Sequence, residues 1–236
     1  MFDFKGSTVL VIGGSSGVGL ATATLLDRLG AKVTIASRNL EKLQAARQQL
    51  GNGARHLQLD ITDTPQLQAL ANGPHWDHMV ISAADTPLGG IKALLDDQAR
   101  RAMDSKFWGA YNAAKYIPVH GQGSITFVAG YLSVRPGKAS ALQSAINAAV
   151  EALGRALALE LAPVRVNTVS PGLLNTELWN GLADKKRAAM FDTVANRLPV
   201  GRVGLPEDAA KAVYFLIDNG YASGSTLYVD GGASIV

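Results

Sequence analysis

Cysteine is absent from this 236-residue chain, which excludes disulfides, thiol catalysis and thiolate metal sites and leaves the redox compartment open. Long apolar runs are missing as well. The hydrophobic stretches are strand-sized and broken by glycine or polar residues, so no segment is expected to span a bilayer. Charge is sparse, at 17% of residues with a net +3, and no basic run exceeds Lys185-Lys186-Arg187. Without aromatics between them these three read as a solvated helix face, and nucleic acid is not an expected partner. The four histidines, His56, His75, His78 and His120, show no ligand spacing and no partner carboxylates. They are read as surface or loop residues, and no metal site is expected. Met1 to Gly6 lacks the basic n-region of a signal peptide, which makes the cytoplasm the expected location.

What remains is 47% hydrophobic, enough for one substantial core, punctuated by 25 glycines and 9 prolines that form no linker. Residues 1–236 are therefore expected to form a single domain. Strand-like runs recur at Thr8-Ile12, Lys32-Ala36, Arg55-Leu59, His78-Ser82, Ser124-Val128, Arg165-Val169 and Ser225-Val229. Helical stretches fill most of the intervals: Leu20 to Leu29, Leu40 to Leu50 behind Asn39 as N-cap, the long stretch behind Asp96 as N-cap that reaches Ile117-Pro118, and Ser140 to Leu161. This alternation predicts an α/β protein whose parallel sheet of about seven strands carries helices on both faces. The last of those helices is rich in alanine, with Ala141, Ala145, Ala148, Ala149 and Ala152 able to pack against a neighbouring helix or subunit.

The first strand runs into Gly13-Gly14-Ser15-Ser16-Gly17-Val18-Gly19 and then a helix. Small residues there let the main chain approach a pyrophosphate, while the helix offers unpaired N–H groups and a positive dipole end. The second strand ends Ile35-Ala36-Ser37-Arg38, with no acidic residue to accept from a ribose 2′-hydroxyl. Ser37 and Arg38 suit a 2′-phosphate instead, so NADP(H) is the expected cofactor.

The spacing Gly13-x-x-x-Gly17-x-Gly19, with Asn167-Thr168-Val169-Ser170-Pro171-Gly172 and Val229-Asp230-Gly231-Gly232, resembles the short-chain dehydrogenase/reductase family over nearly the whole chain. The resemblance implies a Rossmann-type doubly wound sheet. It places Asp60-Ile61 at the adenine and Thr176, after Pro171-Gly172, at the nicotinamide carboxamide. Asp60 has an alternative role as the cap of the turn before Thr62 and Asp63. Where the family shows Asn-Asn-Ala-Gly, this chain reads Ser82-Ala83-Ala84-Asp85, so Ala83 and Ala84 still permit close approach and Asp85 brings a charge where glycine normally stands. The resemblance also implies a segment covering substrate, near 173–196, with Leu173, Leu174, Leu178, Trp179, Leu182, Met190 and Phe191 as an apolar lining, and a homo-oligomer, dimer or tetramer.

The family's reactive residues are replaced. Gly130 stands for the substrate-orienting Ser, Gln143 for the acid/base Tyr and Asn147 for its Lys, while Lys106 takes the place of the family's Asn. An amide has no proton to exchange near neutral pH, so neither Gln143 nor Asn147 repeats the usual role. Asn and Lys are exchanged between positions 106 and 147; if the two face each other, Lys106 restores an ammonium beside the nicotinamide ribose. Tyr131 is the first candidate for a replacement acid, ahead of Ser133, Ser140 and Ser144. The expected activity is an atypical NADP(H)-dependent oxidoreductase acting on the carbonyl or alcohol of an apolar small molecule. Two alternatives stay open: a non-catalytic NADP(H)-binding sensor or assembly protein, and non-redox catalysis on the same fold.

Overall fold

A computed structural model describes residues 4–236, so Met1–Asp3, where the signal-peptide reading begins, lie outside the described residues. Seven parallel strands, β1 (Thr8–Ile12), β2 (Lys32–Ser37), β3 (Arg55–Gln58), β4 (Trp76–Ile81), β5 (Val119–Val128), β6 (Arg165–Pro171) and β7 (Thr226–Val229), form one sheet in the order β3-β2-β1-β4-β5-β6-β7. Alternation along β1 sends its side chains to opposite faces, as a strand requires. Val9 and Val11 join one apolar cluster, with Leu26, Leu43 and Val213, whereas Leu10 and Ile12 join another with Leu67, Ala113 and Val150. The first cluster draws on α1 (Gly17–Arg28), α2 (Leu40–Arg47) and α8 (Pro206–Asp218); the second draws on α3 (Thr64–Ala69), α5 (Gly109–Tyr116) and α6 (Ala141–Glu160). Burial on both faces explains why the central strands read as continuous apolar runs.

The chain reverses its direction of winding between β1 and β4, whose register Ile12↔Ile81 leaves their C-terminal ends side by side. Such a switch point opens a crevice beyond the strand ends. Asn39 caps α2 as expected, its side chain accepting from Lys42 N–H at 2.8 Å.

Three expectations are corrected. The helix expected from Asp96 to Ile117 is divided into α4 (Asp96–Met103), a π-helical turn (Asp104–Trp108) and α5, with Lys106 at the centre of the wide turn. Gln98 bonds back to Leu95 N–H at 3.1 Å, so Leu95 holds the cap position and Asp96 lies in the first turn. His78 is not a surface or loop residue: it lies on β4 at 2% exposure, its Nδ1 sharing a 2.9 Å hydrogen bond with Ser124 Oγ. Burial lowers its pKa to about 4 against the opposing pull of Asp77, and the ring is neutral near pH 7.

Candidate active site

The phosphate-binding turn is built by close backbone approach. Gly13 has φ +88°, and a Cβ there would lie 2.5 Å from Ala83 N, so the turn after β1 rests on the chain leaving β4. Gly19 is equally constrained, since its Cβ would meet Gly13 O at 2.1 Å. Ser16 stands at the N-cap of α1 without using its side chain to cap, and Leu20 is the first residue to bond back, to Ser16 O. The side chain of Val18 is buried in the core. The N–H groups of Gly17, Val18 and Gly19 therefore open the helix toward the crevice, the arrangement an anionic pyrophosphate requires. Thr176 stands beside this end, its Cγ2 3.6 Å from where a Gly17 Cβ would be. The turn, the helix end and Thr176 thus fit a dinucleotide.

Protein carboxylates face both anion-binding features. Glu177 Oε2 accepts from Gly17 N–H at 3.2 Å, and Asp85 Oδ2 pairs with Arg38 Nη2 at 2.9 Å. That hydrogen bond raises the Arg38 pKa above its ordinary value, with Asp60 adding a weaker pull. Ser37 Oγ turns to Asn39 O at 3.4 Å. Asp60 takes the turn-capping role, its Oδ1 accepting from Thr62 N–H at 2.9 Å and Thr62 Oγ1 at 2.8 Å, while Ile61 packs under Gly109. Asp85 does not leave its loop loose, because its N–H donates to Ser105 Oγ at 3.0 Å and ties the loop to the π turn. On the other side of the crevice, Pro171 ends β6 and Gly172 crosses so close to Asp230 that a Cβ would meet its Cα at 2.7 Å.

Three of the positions singled out from the sequence, 106, 130 and 147, come together. Lys106 Nζ donates to Ala129 O at 2.8 Å, next to Gly130, and a Cβ on Gly130 would lie 2.9 Å from Asn147 Nδ2. Glycine at 130 thus makes room for the amide at 147, and the two replacements are sterically linked. Residue 106 keeps some surface along its stem, but its ammonium is enclosed. Desolvation lowers the Lys106 pKa to about 8, opposed by the charge of Glu151. Gln143 Nε2 bonds to the carbonyls of Thr86 and Pro87, holding α6 to the loop after β4. The carbonyl oxygens of Gln143 and Asn147 are buried with no protein donor among the described residues.

Tyr131 follows Gly130 and opens a 3-10 turn, Tyr131–Ser133. Its phenol pKa is raised, first by burial and then by Asp230, so it holds its proton through neutral pH. Of the serines, Ser140 Oγ bonds to Gly137 O at 3.1 Å and lies 3.1 Å from Ser144 Oγ, while Ser133 is engaged with a residue that the sequence reading passed over. That residue is Glu151, 5% exposed. Its Oε1 accepts from Ser133 Oγ and Ser170 Oγ, both at 2.6 Å, and its Oε2 accepts from Tyr228 OH at 2.9 Å. Gln143, Asn147 and Glu151 recur every four residues and share the buried face of α6. A carboxylate at that spacing within a helix of alanine and leucine was the available signal.

In the apolar segment, Leu174 is part of the core, whereas Leu178 and Leu182 are exposed, and α7 (Asp184–Ala195) buries no residue. Among the described residues no His, Asp or Glu side chains converge as a metal-binding group, and no helix is long and apolar enough to cross a membrane.

A family model described as enoyl-(acyl carrier protein) reductase matches residues 13–234. The chain is 33% identical to the short-chain dehydrogenase/reductase ATR9 of Stachybotrys chlorohalonatus, covering 99% of each chain. It is 29% identical to the 3-oxoacyl-(acyl-carrier-protein) reductase FabG of Rickettsia prowazekii over 100% of both. A small-chain dehydrogenase solved in complex with NADPH superposes with a TM-score of 0.82 at 33% identity, covering 98% of this chain and 100% of that one.

Proposed function

Because the chain belongs to the short-chain dehydrogenase/reductase family, we propose that it is an NADP(H)-dependent oxidoreductase acting on the carbonyl or alcohol of an apolar small molecule. The observation that carries this reading is the pairing of a close-approach glycine turn with a buried ammonium, Lys106 Nζ, held at Ala129 O next to Gly130. The Gly13-Gly19 turn, Arg38 and Thr176 would hold the cofactor, which supplies or accepts a hydride when bound. Near neutral pH, Lys106 Nζ carries the proton that a carbonyl oxygen takes up on reduction, since its pKa of about 8 keeps it loaded while leaving it able to release. Asn147 and Gln143 act as fixed polar walls. Gly130 leaves room for the Asn147 amide, and Tyr131, which keeps its proton, is a hydrogen-bond donor at the edge of the site. Glu151 balances the ammonium from within the protein.

The segment 173–196 is the cover. Its exposed Leu178 and Leu182, and an α7 without a buried residue, leave apolar surface for a lipophilic substrate to bury. The relatives' names agree in chemical class, since FabG is called an oxoacyl reductase. The protein works as a homo-oligomer in the cytoplasm; the outward alanines of α6 and the exposed Trp108 and Tyr111 support self-association.

Titration with NADPH and NADH, read by nicotinamide fluorescence, tests the cofactor reading. Tighter NADPH binding is expected, with the preference erased by Arg38→Ala. Absence of binding for both nucleotides would remove the oxidoreductase reading.

A further inference from the structure

The two places where a dinucleotide's phosphates would dock are each held by a carboxylate of the protein. At the second strand's end, Arg38 is the cation placed for a 2′-phosphate, and its Nη2 is committed to Asp85 at 2.9 Å. At the start of α1, the first free N–H, that of Gly17, is committed to Glu177 at 3.2 Å. The two carboxylates come from different loops, one after β4 and one in the segment after β6. Both are on the surface, with 56% of the Asp85 side chain exposed, so neither is there to satisfy a buried charge. Each chooses the donor that an anionic ligand would choose, a guanidinium or a helix N-terminus.

We infer that Asp85 and Glu177 are internal stand-ins for the cofactor's phosphates, competing for Arg38 and Gly17 N–H, so that they set the threshold and the selectivity of cofactor binding. This rests on the NADP(H) reading. Asp85 acts at the 2′-phosphate end: it must share or release Arg38, and its charge then stands near the incoming phosphate. It penalises NADPH and leaves NADH, which has no group there, untouched. Glu177 acts at the pyrophosphate and penalises both nucleotides alike. It also directly follows Thr176 and opens the 3-10 turn Glu177–Trp179 of the covering segment. Displacing its carboxylate removes that segment's hydrogen bond to Gly17 N–H, which links cofactor binding to the hold on the substrate cover.

The test is isothermal titration of the full chain, wild type, Asp85→Asn, Glu177→Gln and the double variant, with NADPH, NADH and 2′,5′-ADP at low and moderate salt. The side chains are exposed, so the variants keep the fold, which circular dichroism checks. Removing an exposed competing charge is expected to tighten binding about three- to fivefold. Asp85→Asn does so for NADPH and 2′,5′-ADP with NADH unchanged; Glu177→Gln does so for both dinucleotides; the double variant combines the two gains. Binding by variants only would support the inference in its strongest form. Equal affinities across all four proteins would overturn it and leave the cofactor reading standing. Weaker NADPH binding by Asp85→Asn would also overturn it, showing that the carboxylate organises Arg38 for the phosphate. If none of the four proteins bound any nucleotide, the cofactor reading would fall and the inference with it.

Discussion

Lys106 and Glu151 carry the argument at the scale of single residues. The ammonium is the proton-loaded form, and burial puts its loss at about pH 8. Reductive kcat/KM is therefore expected to be flat below that value and to fall about tenfold per pH unit above it. Lys106→Met should lower turnover by about two orders of magnitude and abolish the limb. The Glu151 charge raises the Lys106 pKa, so Glu151→Gln should move the limb to lower pH. A pH–rate profile of a folded Glu151→Gln protein that overlaid the wild type would remove Glu151 from the chemistry. Lys106 was legible in the sequence because the family resemblance aligns it with a site position. Glu151 was not, because its partners Ser133, Ser170 and Tyr228 lie in three other elements and only folding brings their hydroxyls to one carboxylate.

The secondary elements show the same division. Strand cores such as Thr8–Ile12 and the extent of α6 were readable from apolar runs and from a long stretch of small helix formers, since those depend on neighbours a few residues away. The π turn at Asp104–Trp108 was not, because its sequence is ordinary helix and its widening shows only in the backbone bonding. A distant element also finishes α8. Arg165 on β6 donates to Leu216 O at 2.7 Å, Ile217 O at 2.8 Å, Asn219 O at 3.0 Å and Ala222 O at 3.1 Å, capping the helix C-terminus with a cation. Arg165→Met should leave those carbonyls unsatisfied and destabilise the protein by about 2–4 kcal/mol in urea unfolding. Loss of under about 0.5 kcal/mol would mean that water replaces the guanidinium without penalty.

For the whole molecule, the outward face of α6 is the informative surface. Ala141, Ala145, Ala148 and Ala152 recur every three or four residues and are exposed, not packed within the chain, while Trp108 is 48% exposed and stacks edge-on with Tyr111 at 5.8 Å. Small residues permit close helix approach and the aromatics supply area, so the chain is expected to self-associate at micromolar concentration. Light scattering should report a dimer or tetramer, and Ala148→Arg should shift it toward the monomer. A monomeric wild type would sink this reading. The sequence by itself determined the alternation of strands and helices and the glycine turn after the first strand, because these are properties of residue type, spacing and local periodicity. Only the tertiary structure decided that His78 is buried and neutral, that glycine at 130 accommodates Asn147, that carboxylates engage Arg38 and Gly17 N–H, and that Glu151 is buried among three hydroxyls. Those facts depend on which distant backbones come within a few ångströms of one another, and the winding of the sheet sets that distance.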